Sequence, residues 1–268
     1  MRLKALAAVA ALLLMTRQAL AFDYSHQQFA GVLSSHVQWQ EDGGNSVVDY
    51  AALQAAPEEL ERYLEQLSAV EAAEFKRWPT NEQLAFLINA YNAFTLKLIV
   101  DHYPVDSIRD IGRFWQSPWK LRFFTLLGEQ MHLDQVEHEI IREPGRYDEP
   151  RIHFAVNCAS IGCPALRPEP FTAEDLEAQL EDSSKRFLSD ASRNRYRDGR
   201  LEVSSIFKWY REDFERGWRG AETLGAFLAL YTDALGLDAE TREQLAGGAV
   251  QIRFLNYDWN LNRLKAQP

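Results

Sequence analysis

The most continuous apolar pattern in the chain begins after Pro79. From Thr80 to about His102, in the run "FLINAYNAFTLKLIV", hydrophobic residues fall on nearly every face of a helical wheel. A helix apolar all round is a buried one. Thr80 is the expected N-cap, Gln83 completes a capping box, and Tyr103-Pro104 is the expected stop. "APEELERYLEQLSAV" is amphipathic instead, with Leu60, Leu64 and Leu67 at helical spacing. A first helix is expected over about 24–36, then the loop "QEDGGN" and a short extended "VVDY".

Alternating patterns are shorter. "LRFFTLLGEQMHL" predicts a hairpin with a type II′ turn at Gly128-Glu129, and "NRYRDGRLEVS" one turning at Asp198-Gly199. In "RIHFAVN" the apolar Ile152, Phe154 and Val156 alternate with other residues. That predicts a strand with His153 and Asn157 on its less apolar face. "LDQVEHEIIR" predicts a short helix whose stripe of Val136, Ile140 and Ile141 is buried, with Glu137 and His138 flanking the core. Thr172 is the expected cap of "AEDLEAQLEDSSKRFL". Further helices are expected in "SIFKWYREDFE", in "ETLGAFLALYTDA" and after Asp238, with a closing strand in "VQIRFLNYDW". No repeat or Pro/Gly-rich linker divides the chain. The expected class is α+β: a predominantly helical single domain over 22–268, with β-hairpins and a small, mostly antiparallel sheet.

The first 21 residues read as a signal peptide. Arg2 and Lys4 precede the apolar "ALAAVAALLLM", and "ALA" at 19–21 is a small-residue cleavage site. The expected location is periplasmic or secreted, and no later apolar run is expected to span a membrane. Losing Arg2, Lys4 and Arg17 with the leader makes the formal net charge of −10 more negative still. So acidic a surface repels nucleic acid. Arg193, Arg195, Arg197 and Arg200 form the one basic cluster, either a solvated outer face or an anion-binding strip.

Both cysteines lie in "HFAVNCASIGCPAL". Three chemistries fit them. An oxidising compartment favours a Cys158–Cys163 disulfide closing a small loop. Cys158 can instead be a thiolate nucleophile. A His-x4-Cys-x4-Cys metal site is the third reading, although it matches no standard zinc spacing. For a nucleophile, no histidine follows Cys158, so any base precedes it in the chain. An extended strand would hold His153 about 16 Å away, which brings His138, beside Glu137, into contention. Asn89 and Asn92 share one face of the apolar helix and are either a structural network or a substrate clamp.

"VDYAAL", "FLINAYNAFTLKLI", "VEHEIIR", "IHFAVNCASIGCPAL", "IFKWYREDF" and "YDWNLN" occur in the order seen in domain-of-unknown-function family 547, which the chain resembles from about residue 26 to 262. The resemblance implies candidate positions and no activity: Asn89, Asn92, Glu137, His138, His153, Asn157, Cys158, Ser160, Cys163 and Pro164. Phe171 stands where a tyrosine is expected. Two functions are expected from these residues. One is a cysteine-dependent hydrolase or acyl/amide transferase acting on envelope amides or esters without a cofactor. In it Cys158 is the nucleophile, His153 or His138 the base, Glu137 the orienting carboxylate, and Asn89, Asn92, Asn157 and Ser160 hold the substrate. The other is a non-catalytic module that binds a small-molecule or peptide ligand, with Cys158–Cys163 bridged.

Overall fold

A computed structural model describes residues 22–41, 43–113 and 115–265. The expected signal peptide, 1–21, lies outside the described residues. The N-terminal part carries helices α1 (Gln27–His36), α2 (Tyr50–Ala55), α3 (Glu58–Ser68), α4 (Ala72–Phe75) and α5 (Thr80–His102). Strands β1 (Val37–Trp39) and β2 (Ser46–Val48) pair antiparallel between α1 and α2. Helix α5 is the centre of this part. It is long and apolar enough to cross a membrane, but 89% of its apolar window is buried inside the fold, as a core helix requires. It ends where Tyr103, extended before Pro104, leaves helical geometry. At its start Thr80 is already helical, and Pro79 takes the cap position. Gln83 therefore closes no capping box. Its amide donates to the Trp78 carbonyl at 2.9 Å.

Strands β3 (Phe124–Leu126) and β4 (Glu129–Met131) form the first expected hairpin, with the turn one residue earlier than expected. Leu127 and Gly128 both have positive φ (54° and 80°), the signature of type I′ rather than II′. Leu127 is held there by packing against the core. The second hairpin, β5 (Arg195–Arg197) and β6 (Arg200–Val203), turns at Asp198-Gly199 as the sequence predicts. Strand β7 (Gln251–Phe254) joins β6 in parallel, so this sheet is mixed. Helix α6 (Leu176–Ser189) begins four residues after Thr172, whose hydroxyl accepts from the Asp175 amide at 3.3 Å and shapes the turn leading in. "SIFKWYREDFE" forms two short helices, α7 (Ile206–Trp209) and α8 (Arg211–Phe214). They are followed by α9 (Leu224–Ala229) and α10 (Ala239–Ala246). Helices with small antiparallel and mixed sheets make the class α+β.

One expectation fails outright. "RIHFAVN" is not a strand: Pro150–Phe154 is a 3₁₀ helix. Pro150 supplies a preset φ at its first position, and the Glu149 side chain accepts from the Arg151 amide at 3.0 Å. The alternation that suggests a strand has another origin. Ile152 packs into an apolar cluster built around α1–α5, and Phe154 into a second with Phe187, Phe207, Phe214 and Phe227. Residues 151–157 are all buried, so the segment has no solvated face.

Candidate functional site

The 3₁₀ helix runs directly into the cysteine loop. Cys158 and Cys163 are joined, with Cα atoms 6.1 Å apart. Asn157 shapes the loop from inside: its amide donates to the Pro164 carbonyl at 2.7 Å and its oxygen accepts from the Ala159 N–H at 2.8 Å. That second bond helps hold Ala159 at φ 58°, a left-handed conformation uncommon outside glycine. The C-terminal segment closes over the loop. Gly162 N–H donates to Asp258 O and Ile161 N–H to Asn260 O, both at 2.8 Å. A Cβ on Gly162 would stand 2.9 Å from Asp258 O, which explains the glycine. Buried Arg193 donates to the carbonyls of Cys163 and Gly44, and Arg195 pairs with Glu202. Both are structural partners rather than parts of an anion-binding strip.

The Tyr257 hydroxyl rests on the disulfide. It lies 3.1 Å from each sulfur and accepts from Ser160 Oγ at 3.0 Å. The Cys158 N–H also points at Cys163 Sγ, at 2.9 Å. A joined Cys158 is not a thiolate, so in this state the nucleophile reading of Cys158 does not hold and the bridge does.

His153 faces a partner that the sequence reading did not select. Its Nε2 is 2.7 Å from Asp213 Oδ2, while its ring stacks on Tyr210 with centroids 3.9 Å apart. Asp213 also receives Arg142 Nε at 2.5 Å and Arg216 at 3.0 Å. Burial works against an Asp213 charge, but the hydrogen bonds from His153 and Arg142 hold its carboxyl well below the usual range. Burial pushes His153 below its ordinary value, opposed in part by Asp213. The pair is therefore a neutral imidazole donating Nε2–H to a carboxylate. That leaves Nδ1 as an acceptor, and this buried atom has no partner among the described residues.

Glu137 and His138 sit on a π-helical turn, Gln135–Ile141. Its wider spacing (Arg142 N–H donates to Glu137 O at 3.0 Å) turns Glu137 inward beside Val136 and Ile141, against the expectation that it flanks the core. Glu137 is only 4% exposed, and its Oε1 has no hydrogen-bond partner among the described residues. Tyr91 and Tyr210 face it. Burial first, and the Glu137 charge next, raise both phenols. His138 is exposed, next to Arg142 and 3.6 Å from Asp134.

These groups line one cleft of about 210 Å³, where the two apolar clusters meet. Glu137, His153, Cys158 and Cys163 contribute to its wall, with Asp134 and His138. Tyr257, Trp209 and Trp259 form an aromatic side: Tyr257–Trp259 centroids are 4.5 Å apart and Trp209–Trp259 stack at 5.7 Å. Asn89, Asn92, Asn157 and Ser160, expected to hold a substrate, are not among the lining residues. The amides serve backbone. Asn89 clamps Phe171 through both its N–H (2.9 Å) and its carbonyl (2.7 Å), and Asn92 bridges the Ala155 carbonyl and the Asn157 N–H. The Phe171 ring is buried, and it is the backbone of this residue that Asn89 grips, so the missing hydroxyl leaves the clamp intact.

Residues 75–188 match the family model described as "Protein of unknown function, DUF547". This segment resembles DUF547. No curated protein and no solved structure matches the chain. The DUF547 segment holds Tyr91, Glu137, His153 and both cysteines. Tyr210, Trp209, Tyr257 and Trp259 complete the cleft from beyond its end, and Asp213, also beyond it, holds the His153 ring without lining the cleft.

Those last residues are the ones that sequence reasoning missed. "IFKWYREDF" reads as core packing, which is correct for Ile206, Phe207 and Phe214. Trp209 is nonetheless 47% exposed, and Asp213 is a buried acid. The available signal was an aromatic pair and an acid inside a segment too short to bury all of them.

Proposed function

We propose that the chain is a non-catalytic binding module of the cell envelope, whose cleft takes a small-molecule or peptide ligand beside a structural disulfide. The observation that carries this reading is the joined Cys158–Cys163 pair lying in the cleft wall, with Tyr257 against both sulfurs. Concave, largely aromatic walls with a few convergent polar groups are the usual form of a ligand site. Asn89, Asn92 and Asn157, given over to backbone, make the scaffold that holds the loop. Mass mapping of the exported protein without reductant tests the reading. The expected result is a bridged 158–163 peptide and no alkylation of Cys158 by a low dose of iodoacetamide at pH 7. Rapid modification of Cys158 would reverse it.

One observation favours a second reading, a thiol-dependent hydrolase or acyl/amide transferase active after reduction. Half-buried Cys158 shares the cleft with a His153–Asp213 pair, the base and orienting acid that such chemistry uses. Ester or amide hydrolysis appearing only with reductant, and lost in Cys158→Ser, would establish it.

A further inference from the structure

We infer that the cleft takes the ammonium group of a primary amine, received by Glu137 Oε1 and His153 Nδ1 beside the rings of Trp209 and Tyr257. The inference rests on the binding reading above and names the ligand class.

The phenols of Tyr91 and Tyr210 face the Glu137 carboxylate. Among the described residues two buried polar atoms of the cleft-lining side chains have no hydrogen-bond partner, Glu137 Oε1 and His153 Nδ1. Both are acceptors, the second because Nε2–H is committed to Asp213. A buried acceptor left unsatisfied costs about 1–3 kcal/mol, so a ligand that donates to both atoms is favoured here. A hydroxyl donates once, and a quaternary ammonium not at all. A primary ammonium donates three times from one compact centre.

Charge points the same way. The lining includes the carboxyls of Asp134 and Glu137 and, among the described residues, no lysine or arginine. Arg142 lies over the Tyr210 ring and beside His138, engaged with Asp213, and Asp134 meets Lys120 at 3.7 Å. Glu137 makes no ion pair among the described residues. An anionic ligand would meet like charge here, with the nearby guanidinium of Arg142 engaged by Asp213 and the Lys120 ammonium by Asp134. The rings add attraction for a cation across their faces. Arg109 already lies over Trp259 at 5.2 Å, and Arg142 and His153 cover Tyr210, while Trp209 stays half open. The volume suits a headgroup or side-chain terminus, being below the ~300–1,000 Å³ of clefts that hold drug-sized molecules.

Calorimetric titration of the intact bridged protein at pH 7 with two matched pairs tests this. One pair is Nα-acetyl-lysine amide against Nα-acetyl-norleucine amide, and the other is glucosamine against N-acetylglucosamine. Binding by the amine-bearing member alone is expected, and the pair that responds tells a side-chain amine from an amino sugar. Glu137→Gln should weaken it at least tenfold. Trp209→Ala, at an exposed position, should weaken it several-fold and covers the case in which the Glu137 variant does not fold. Equal binding of the uncharged members would overturn the ammonium assignment and leave the binding reading standing. No response from any of the four would remove both.

Discussion

His153 donates its Nε2–H to Asp213 across sixty residues of sequence, and both groups are buried, His153 in the cleft lining and Asp213 outside it. The bond joins the 3₁₀ helix before the cysteine loop to α8. Asp213 is also the anion for Arg142 and Arg216, so one carboxylate organises three donors.

Asp213→Ala therefore leaves the guanidinium of Arg142 and an imidazole without their acceptor. Removing one partner of a buried ion pair costs about 3–5 kcal/mol. Urea denaturation should show a loss of that size. A loss below about 1 kcal/mol would mean that water replaces the carboxylate freely.

Closing a loop of four intervening residues constrains the unfolded chain modestly. The Cys158→Ser/Cys163→Ser double variant should lose about 2 kcal/mol by the loop-entropy relation, read as a lower thermal midpoint. Adding reductant to the unsubstituted protein should reproduce the shift, and should not move the variant.

Burial, offset slightly by Asp23, pushes His26 down to about 4, and its ring contacts Tyr63 OH at 2.6 Å. Its folded value lies below the 6.5 of the free side chain, so the unfolded state takes up the proton first. The contribution is complete above about pH 6.5 and is lost as pH falls towards 4, amounting to about 3 kcal/mol. Buried His153, also lowered, acts with the same sign. In His26→Asn, where asparagine tolerates the left-handed φ of 52°, the slope of stability against pH between 6.5 and 4 should flatten. An unchanged slope would assign the acid sensitivity elsewhere.

Asn89→Ala removes both partners of the Phe171 backbone, leaving a buried N–H and a buried carbonyl. The expected cost is about 3 kcal/mol, with faster hydrogen exchange at the Phe171 amide as its local signature. Ligand affinity should hold at temperatures where the variant stays folded, because Asn89 lies outside the cleft lining.

By itself the sequence determined the long core helix from Thr80 to His102, the two hairpins, the α+β class and the placement of both cysteines in one tight loop. Apolar periodicity and turn residues are local, and each of these features is written within a few consecutive turns or strands. Tertiary structure alone decided that Glu137 faces inward, that 150–154 is 3₁₀ rather than extended, and that His153 answers to Asp213 and the disulfide to Tyr257. Five- and seven-residue stretches of 3₁₀ and π helix are too short to carry a period of their own. A polar partnership between residues sixty or a hundred positions apart leaves no periodic trace, because it depends on which buried groups the packed core brings within reach of each other.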